Sequence, residues 1–275
     1  MARDPGDRQR QGNLSRGLER QGDVYEILGK YDEALRNYTD SLKILQDIDP
    51  QQSLRSRDIS NLMEKRGDVF LKLHNWNQVE DSYGSSCKIR QRLAAASPLD
   101  ADLQRNFTSS IDRYGTFLLA QRKFDEALSS FDDSLQRRLG YARLYPNDTS
   151  WQDFLAFSYE HVGDVYFAQG NPIDVQRANL NEALAEYRQA YRIRQRLTEL
   201  DHRRTDWQEH FAGLCLKVSQ VLDTRLDANK KEATQLVRQG ANILESLSAK
   251  GELSEAQKQI CNDLRCWAAV PNGAK

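Results

Sequence analysis

The residues that could carry chemistry in this 275-residue chain are few and scattered. No two histidines or cysteines stand at the spacing of a metal site or of a Cys-x-x-Cys redox pair. Paired carboxylates such as Asp132 and Asp133 are adjacent, so on a helix they point in different directions and offer no acid–base geometry. The sequence also has no glycine-rich phosphate loop, HExxH, GxSxG or kinase pattern. We therefore predict a protein that is not an enzyme and that binds no metal and no cofactor. The histidines and cysteines in question are His74, His161, His202, His210, Cys87, Cys215, Cys261 and Cys266.

Composition narrows the function further. The chain has 39 Lys and Arg against 40 Asp and Glu, a formal net charge of −1, so it lacks the basic footprint of a nucleic-acid-binding protein. No stretch approaches the roughly 18 apolar residues of a membrane helix, and the first residues form no apolar signal-peptide core. We expect a cytoplasmic protein with reduced thiols. With a mean hydropathy of −0.75, the chain is unusually polar for one compact globule, and 15 Gly and 6 Pro indicate long helices.

One acidic feature does recur. Three pairs of carboxylates lie four positions apart, and each like-charge pair destabilises a helix by a few tenths of a kcal/mol. A repeated unfavourable choice needs a compensating reason. Either the carboxylates face a basic segment of a partner, or they pair with cations of neighbouring helices such as Arg20, Lys65, Arg66 and Arg113. The three pairs are Glu19/Asp23, Glu64/Asp68 and Glu160/Asp164.

The acidic pairs belong to a repeated segment. Pro50, Pro98 and Pro146 recur at one constant interval, and a glycine follows each proline at the same offset. A large apolar residue lies three positions after the glycine, a small residue twelve after, an aromatic sixteen after and another small residue nineteen after. In the fourth unit the second half is delayed by eight positions. The glycine column is Gly22, Gly67, Gly115 and Gly163; the small column is Ala34, Val79, Ala127 and Ala183; the aromatic column is Tyr38, Tyr83, Phe131 and Tyr187.

Each unit is predicted to form two helices. Apolar residues at i, i+3 or i+4, and i+7 run through both halves, and a short polar turn separates them. The glycine and the small residues mark where the two helices approach closely, with the aromatic residues filling the space opposite. Because one pair cannot bury its apolar side alone, neighbouring pairs must stack.

These columns resemble those of the tetratricopeptide repeat (TPR) family. The resemblance covers roughly residues 8–200 well and 204–248 weakly. The period is longer than the usual ~34 residues, because the second helix is extended, and is similar to that of long-helix variants such as kinesin light chains and bacterial signalling proteins. The resemblance implies an all-α fold, an α-α superhelix (TPR-like solenoid) of about five helix pairs plus a C-terminal capping helix.

The expected organisation follows from the repeat register. A solenoid over 13–248 is preceded by a flexible N-terminus, either frayed or an extension of the first helix, and followed by a cap and a disordered tail. The predicted boundaries are 1–12 for the N-terminus; 13–57, 58–105, 106–153, 154–209 (with an insertion near 172–179) and a degenerate 210–248 for the units; 252–268 for the capping helix; and 269–275 for the tail.

The resemblance also implies a binding surface. In TPR proteins the first helices line a concave groove, and the positions three before, one after and four after the glycine face it. Over four units, seven of the eight residues at the first two positions are acidic. This disfavours a groove that clamps a partner's C-terminal carboxylate. The implied groove residues are Glu19, Asp23, Glu26, Glu64, Asp68, Leu71, Asp112, Thr116, Leu119, Glu160, Asp164 and Phe167.

We therefore predict a protein–protein interaction scaffold that takes a basic peptide in an acidic groove. One alternative is a regulatory or sensor module that controls an effector or DNA-binding partner. A weaker one is nucleic-acid binding through a convex face rich in arginine. The sequence does not predict the oligomeric state. The arginines assigned to the convex face are Arg90, Arg92, Arg137, Arg138, Arg192, Arg194 and Arg196.

Overall fold

A computed structural model describes residues 5–50, 55–170, 176–223 and 230–249, together with the single positions 251, 258 and 262. Within these ranges the chain forms ten α-helices and no strand. The chain separates into two compact units, Met1–Lys123 and Phe124–Lys275. None of the described helices is long and apolar enough to cross a membrane.

The described part of the first unit contains five helices, and that of the second unit another five. Those of the first unit are α1 (Pro5–Ile27), α2 (Tyr31–Ile48), α3 (Ser56–Lys72), α4 (Trp76–Ala96) and α5 (Ala101–Ala120). Those of the second are α6 (Phe124–Leu144), α7 (Thr149–Gln169), α8 (Gln176–Leu200), α9 (Thr205–Asp223) and α10 (Lys230–Ala249).

Local chemistry sets the helix ends. The Asp100 side chain caps α5 by accepting hydrogen bonds from the backbone N–H groups of Asp102 and Leu103, which stabilises the first turn. Turns inside a pair are tight because one residue adopts a left-handed conformation. Gly29, with φ of 71°, does so between α1 and α2, and His74, with φ of 55°, does so between α3 and α4.

Helix pairs stack in each unit. In the first, α1 packs with α2 and α3 with α4, and each pair contacts the next helix along the chain. In the second, α7 packs with α8 and α9 with α10, and α6 and α8 contact the helix that follows them. The small and aromatic columns are buried at these contacts, as Ala34 and Tyr38 illustrate. The predicted all-α arrangement of stacked helix pairs is confirmed within each unit.

The helix bounds differ from the predicted unit limits. The pairs begin at Ser56, Ala101, Thr149 and Thr205, rather than at 58, 106, 154 and 210. The side chains of Asp100 and Asp148 cap α5 and α7 and so set the starts of those two helices. Residues 5–12, assigned to a flexible N-terminus, lie in α1. Helix α8 begins at Gln176, inside the insertion predicted near 172–179. Residues 171–175, the tail and all but two positions of the expected capping helix lie outside the described residues.

Candidate binding surface on the first helices

The repeated glycines are the places where the two helices of a pair come closest. A Cβ atom added at Gly22 would lie 2.5 Å from Cε1 of Tyr38, and one added at Gly67 would lie 2.4 Å from Cε1 of Tyr83. At Gly163 the nearest atom of Tyr187 would be 2.6 Å away. Any side chain at these positions would overlap the aromatic ring, so the glycine lets the tyrosine lie flat against the first helix.

Each of these tyrosines reaches a carboxylate of its own first helix. In the first pair the Tyr38 hydroxyl donates to Oδ1 of Asp23 at 2.8 Å and to Oε2 of Glu26 at 3.0 Å. Lys65, from α3, donates to both carboxylate oxygens of Asp23, at 2.7 and 2.8 Å, and lies 2.8 Å from Oε1 of Glu19. One cluster therefore joins α1, α2 and α3. Burial and the two acceptor carboxylates raise the pKa of Tyr38, so the hydroxyl stays protonated and donates.

A second cluster repeats the arrangement one pair later. The Tyr83 hydroxyl donates to Oδ1 of Asp68 at 2.6 Å, and Nη1 of Arg113, from α5, donates to the same carboxylate at 2.6 and 2.9 Å. Glu64 lies deeper, with its Oε1 2.8 Å from Nη1 of Arg90 and its Oε2 3.7 Å from Nε of Arg113. Burial raises the pKa of Glu64, against the opposing effect of the two arginines. This cluster joins α3, α4 and α5.

The second unit contains a third cluster of the same kind. The Tyr187 hydroxyl donates to Oδ1 of Asp164 at 2.6 Å, and Nζ of Lys217, from α9, donates to Oδ2 at 2.8 Å. Glu160 accepts from Nε of Arg194 at 2.6 Å and lies 3.7 Å from Nζ of Lys217. The cluster joins α7, α8 and α9.

The sequence register explains where the motif is missing. In each cluster the aspartate comes directly after the repeated glycine of its unit. The cation comes from the next unit, two positions before the glycine position of that unit. In the remaining register the aspartate position holds Thr116, the tyrosine position holds Phe131 and the cation position holds His161. The His161 ring stacks on Phe131 with centroids 4.8 Å apart. All three partners change together, so the motif is replaced as a set and not one residue at a time.

The aspartates of the clusters keep access to solvent. The side chains of Asp23, Asp68 and Asp164 are 40%, 30% and 27% exposed. Glu64 and Glu160 are nearly buried and act as internal partners of arginine. Of the two explanations for the acidic pairs, the structure therefore supports pairing with cations of neighbouring helices. Each of the three aspartates nevertheless keeps one edge exposed to solvent.

The other residues expected in the groove are in mixed surroundings. Glu26 accepts from Nζ of Lys72 at 2.7 Å. Asp112 is buried and its backbone carbonyl accepts from the exposed Thr116 hydroxyl at 2.8 Å. Phe167 packs against the core of the second unit. Leu71 and Leu119, like Phe167, are partly exposed.

Three of the seven arginines assigned to the convex face are buried, and that assignment is wrong for them. Arg90 is 8% exposed, and Arg138 and Arg194 are 1% exposed. Nη1 of Arg90 donates to the backbone carbonyl of Asn106 at 3.0 Å, and Nη1 of Arg138 donates in the same way to Phe154.

The reason is their position in the repeat. All three stand in one column, at the same offset from the glycine of their unit once the insertion of the fourth unit is discounted. The arginine stem packs in the interface and the guanidinium reaches polar groups on first helices. The other four, Arg92, Arg137, Arg192 and Arg196, are exposed or half-exposed, and Arg137 pairs with Asp133 at 2.9 Å.

His210 and Cys215 have structural surroundings. His210 packs edge-on against Phe157 with centroids 4.8 Å apart, and burial followed by the charge of Arg194 lowers its pKa. Burial raises the pKa of the Cys215 thiol to about 12, which keeps it protonated and unreactive. Across the described part of the chain, no three His, Cys, Asp or Glu side chains gather to hold a metal ion. Cys261 and Cys266 lie outside that part.

Comparison with known proteins gives the fold. No family model and no curated protein matches the chain. Among solved structures, BtubC (BKLC) from P. vanneervenii is 16% identical, with 88% of this chain and 84% of that one covered and a TM-score of 0.64. The nearly identical TPR-like repeats of a kinesin light chain from Podosopora anserina are 16% identical over 87% of this chain and 98% of that one, with a TM-score of 0.57. The fold is TPR-like. The apo form of RapI shares it, at 12% identity over 93% of this chain and 83% of that one and a TM-score of 0.63.

Within this TPR-like fold, the clusters fix the spacing of the open aspartates. Asp23 and Asp68 are both in the first unit, one on each of two successive first helices, at the same position relative to the repeated glycine. Tyr38 and Tyr83 hold the two carboxylates from the second helices. A partner would therefore meet acceptors whose orientation is already set.

Proposed function

We propose that this protein is a non-catalytic scaffold that recognises a segment of another protein on the surface of its first helices, through basic residues of that segment. The observation that carries the proposal is the set of tyrosine-held aspartates, Asp23, Asp68 and Asp164, each of which keeps an exposed edge. A carboxylate has about four acceptor sites, so each aspartate can accept a further donor beside its tyrosine and its cation.

The charge balance favours a basic partner. In the first unit, five carboxylates of the two clusters face four cations, which leaves a formal charge of −1 without counting the buried Asp112. The field is modest, so we expect short basic segments rather than long polybasic ones to be selected. The carboxylates are Glu19, Asp23, Glu26, Glu64 and Asp68, and the cations are Lys65, Lys72, Arg90 and Arg113.

Pre-orientation strengthens such a contact. A free aspartate side chain loses rotamer freedom when a ligand binds, and immobilising a rotamer-rich side chain subtracts about 0.5–1.5 kcal/mol from the binding free energy. Here the Tyr83 hydroxyl and the Arg113 guanidinium already hold Asp68. A lysine or arginine of the partner would add a charge-assisted hydrogen bond without that loss.

The test is a selection from a random peptide library on the immobilised full-length chain. We expect the enriched peptides to be basic. Their affinity should fall at least tenfold when Asp23, Asp68 and Asp164 are changed together to Asn, a change that keeps an oxygen for the tyrosine. The matched control changes Asp40, Asp81 and Asp125, exposed aspartates of second helices, to Asn. Neutral or acidic selected peptides, or equal losses in both triple variants, would contradict the proposal.

The structure bears differently on the two alternatives, nucleic-acid binding and a regulatory role. Nucleic-acid binding through a convex arginine face loses its main support, because Arg90, Arg138 and Arg194 are buried in the interfaces between helices. A regulatory role would use the same surface of the first helices, with an effector as the partner. The peptide selection addresses both roles, since the enriched sequences identify the segment that is recognised.

A further inference from the structure

Helix α1 exposes a face that every later first helix buries. The positions eight before, five before and two after the repeated glycine are buried in α3, α5, α7 and α9. On α1 the same positions hold Leu14, which is 56% exposed, the exposed Gly17, and Val24, which is 54% exposed. The buried counterparts are Ile59, Leu62 and Val69; Phe107, Ser110 and Phe117; Leu155, Ser158 and Val165; and Phe211, Leu214 and Val221.

The later helices show what covers this face. Helix α2 packs on α3 and α4 on α5 in the first unit, and α6 packs on α7 and α8 on α9 in the second. In all four cases the cover is the second helix of the preceding pair. The apolar positions of α1 therefore have the pattern of a surface that receives a second helix of this repeat. Within the described residues, the extensive packing of α1 is with its own second helix, α2.

Helix α1 also carries a cation at the position where the later first helices form an ion pair with the preceding unit. Two positions before the glycine, Lys65, Arg113 and Lys217 each pair with an aspartate of the preceding first helix. The residue at that position on α1 is Arg20, which is exposed. No hydrogen bond or ion pair reaches Arg20 from any residue that the structure describes. Helix α1 thus carries the charged half of the interface in addition to the apolar half.

We propose that this face of α1, defined by Leu14, Gly17, Arg20 and Val24, docks a helical hairpin of the same repeat type whose first helix carries an aspartate directly after its glycine. The second helix of the hairpin packs on Leu14 and Val24, and the surface between them is open at Gly17, where an added Cβ would meet nothing within 4 Å. Its first helix presents a carboxylate to Arg20.

The last pair of a second copy fits this face poorly, because it lacks the required acid. In α9 the position that follows the repeated glycine's counterpart holds Gln220, where the clustered pairs hold aspartate. An amide oxygen is a weaker partner for a guanidinium than a carboxylate. The α1 face also contains none of the aspartates of the proposed function, so the two surfaces can be tested separately.

The probe is a fluorescently labelled peptide of residues 56–96, the α3–α4 hairpin, because α4 covers α5 while Asp68 pairs with Arg113. We expect saturable binding to the full-length chain and at least a tenfold loss of affinity in the Leu14→Lys, Val24→Lys double variant. Arg20→Glu should also weaken binding, and Asp68→Arg in the probe should restore it.

The matched controls change Leu99 and Leu200 to Lys. Both are exposed leucines outside the α1 face, at 79% and 66%, so their replacement should leave the affinity unchanged. Equal losses in the control and the α1 variants would overturn the proposal, as would binding that ignores the Arg20 charge swap. Self-association of the chain in sedimentation that disappears with the Leu14 and Val24 changes would make a second copy the occupant and overturn the assignment.

The α3–α4 hairpin can also be fused to the chain, so that the test no longer requires a free peptide to fold by itself. Residues 56–100 placed directly before Arg8 of the chain reproduce, between Gly67 and Gly22, the spacing that separates Gly67 from Gly115. We expect amide hydrogen exchange in α1 to slow at least tenfold and the urea midpoint to rise, with both gains reduced by Leu14→Lys and Val24→Lys. Unchanged exchange and an unchanged midpoint in the fusion would overturn the proposal.

Discussion

The sharpest stability prediction concerns Gly67→Ala, because two effects of known size oppose each other there. Replacing glycine by alanine inside a helix stabilises it by about 1 kcal/mol when space is available. At Gly67, however, the new Cβ would lie 2.4 Å from Cε1 and 2.6 Å from Cδ1 of Tyr83. That ring cannot move freely, since its hydroxyl is bound to Asp68 at 2.6 Å and the ring packs nearly perpendicular to that of Phe117, with centroids 6.5 Å apart.

The overlap should decide the sign. Overpacking of a filled interior costs about 1–3 kcal/mol, which exceeds the helix gain, so we expect Gly67→Ala to lower the free energy of unfolding by up to about 2 kcal/mol. Gly84→Ala is the matched control. Gly84 lies inside α4 with nothing within 4 Å of an added Cβ, and its replacement should raise the free energy of unfolding by about 1 kcal/mol.

The assay is urea-induced unfolding followed by circular dichroism, with the slope checked because stacked repeats can unfold in parts. Adding Tyr83→Leu to Gly67→Ala should recover part of the loss relative to Tyr83→Leu alone, which a double-mutant cycle measures. If Gly67→Ala stabilises the protein as much as Gly84→Ala does, the ring does not restrict this position and the interpretation of the glycine column is wrong.

Three further outcomes follow from the contacts. Arg138→Met should lower the free energy of unfolding by about 2 kcal/mol because a buried, charge-assisted hydrogen bond is lost, whereas Arg137→Met on the adjacent, half-exposed site should change it by less than about 0.5 kcal/mol in the same urea assay. Tyr187→Phe should cost about 1 kcal/mol by removing the hydroxyl that binds Asp164, and thermal unfolding checks it. Burial lowers the pKa of His210, so the unfolded chain takes up its proton first: stability should be complete above the ordinary histidine pKa of about 6.5 and should fall as the pH drops from there towards the lowered value. In His210→Gln, unfolding measured across this pH range should show a weaker dependence.

The columns set by local sterics were predictable from the sequence. A glycine stands opposite an aromatic ring, as at Gly22 and Tyr38, because any larger side chain would overlap the ring. The repeated spacing of glycine and aromatic residue therefore predicts the contact. The acidic pairs were visible too, but the sequence could not decide between a partner and an internal cation. A useful signal is present in the chain: where Phe131 replaces the tyrosine, Thr116 replaces the aspartate, and this joint change indicates a pair.

The buried arginines show what the pattern could not resolve. A charged residue on a second helix is ordinarily solvated, and only its neighbours in space reveal that Arg90 and Arg138 reach first helices. The repeat register holds one clue. The first unit has Leu45 in the column that these arginines occupy in later units, and Leu45 is buried. An apolar residue in a column of arginines indicates that the column is buried. The guanidinium groups of the arginines must then find hydrogen-bond partners inside the protein.

The most direct test of the proposed function is zero-length carbodiimide cross-linking between a selected basic peptide and the full-length chain. The reagent joins a lysine amine only to a carboxylate in contact with it, so mass spectrometry of the products identifies the acids that the peptide touches. We predict cross-links at Asp23 and Asp68, the two cluster aspartates of the first unit. Cross-links confined to carboxylates of the second helices, such as Asp40 and Asp81, would contradict recognition on the first helices.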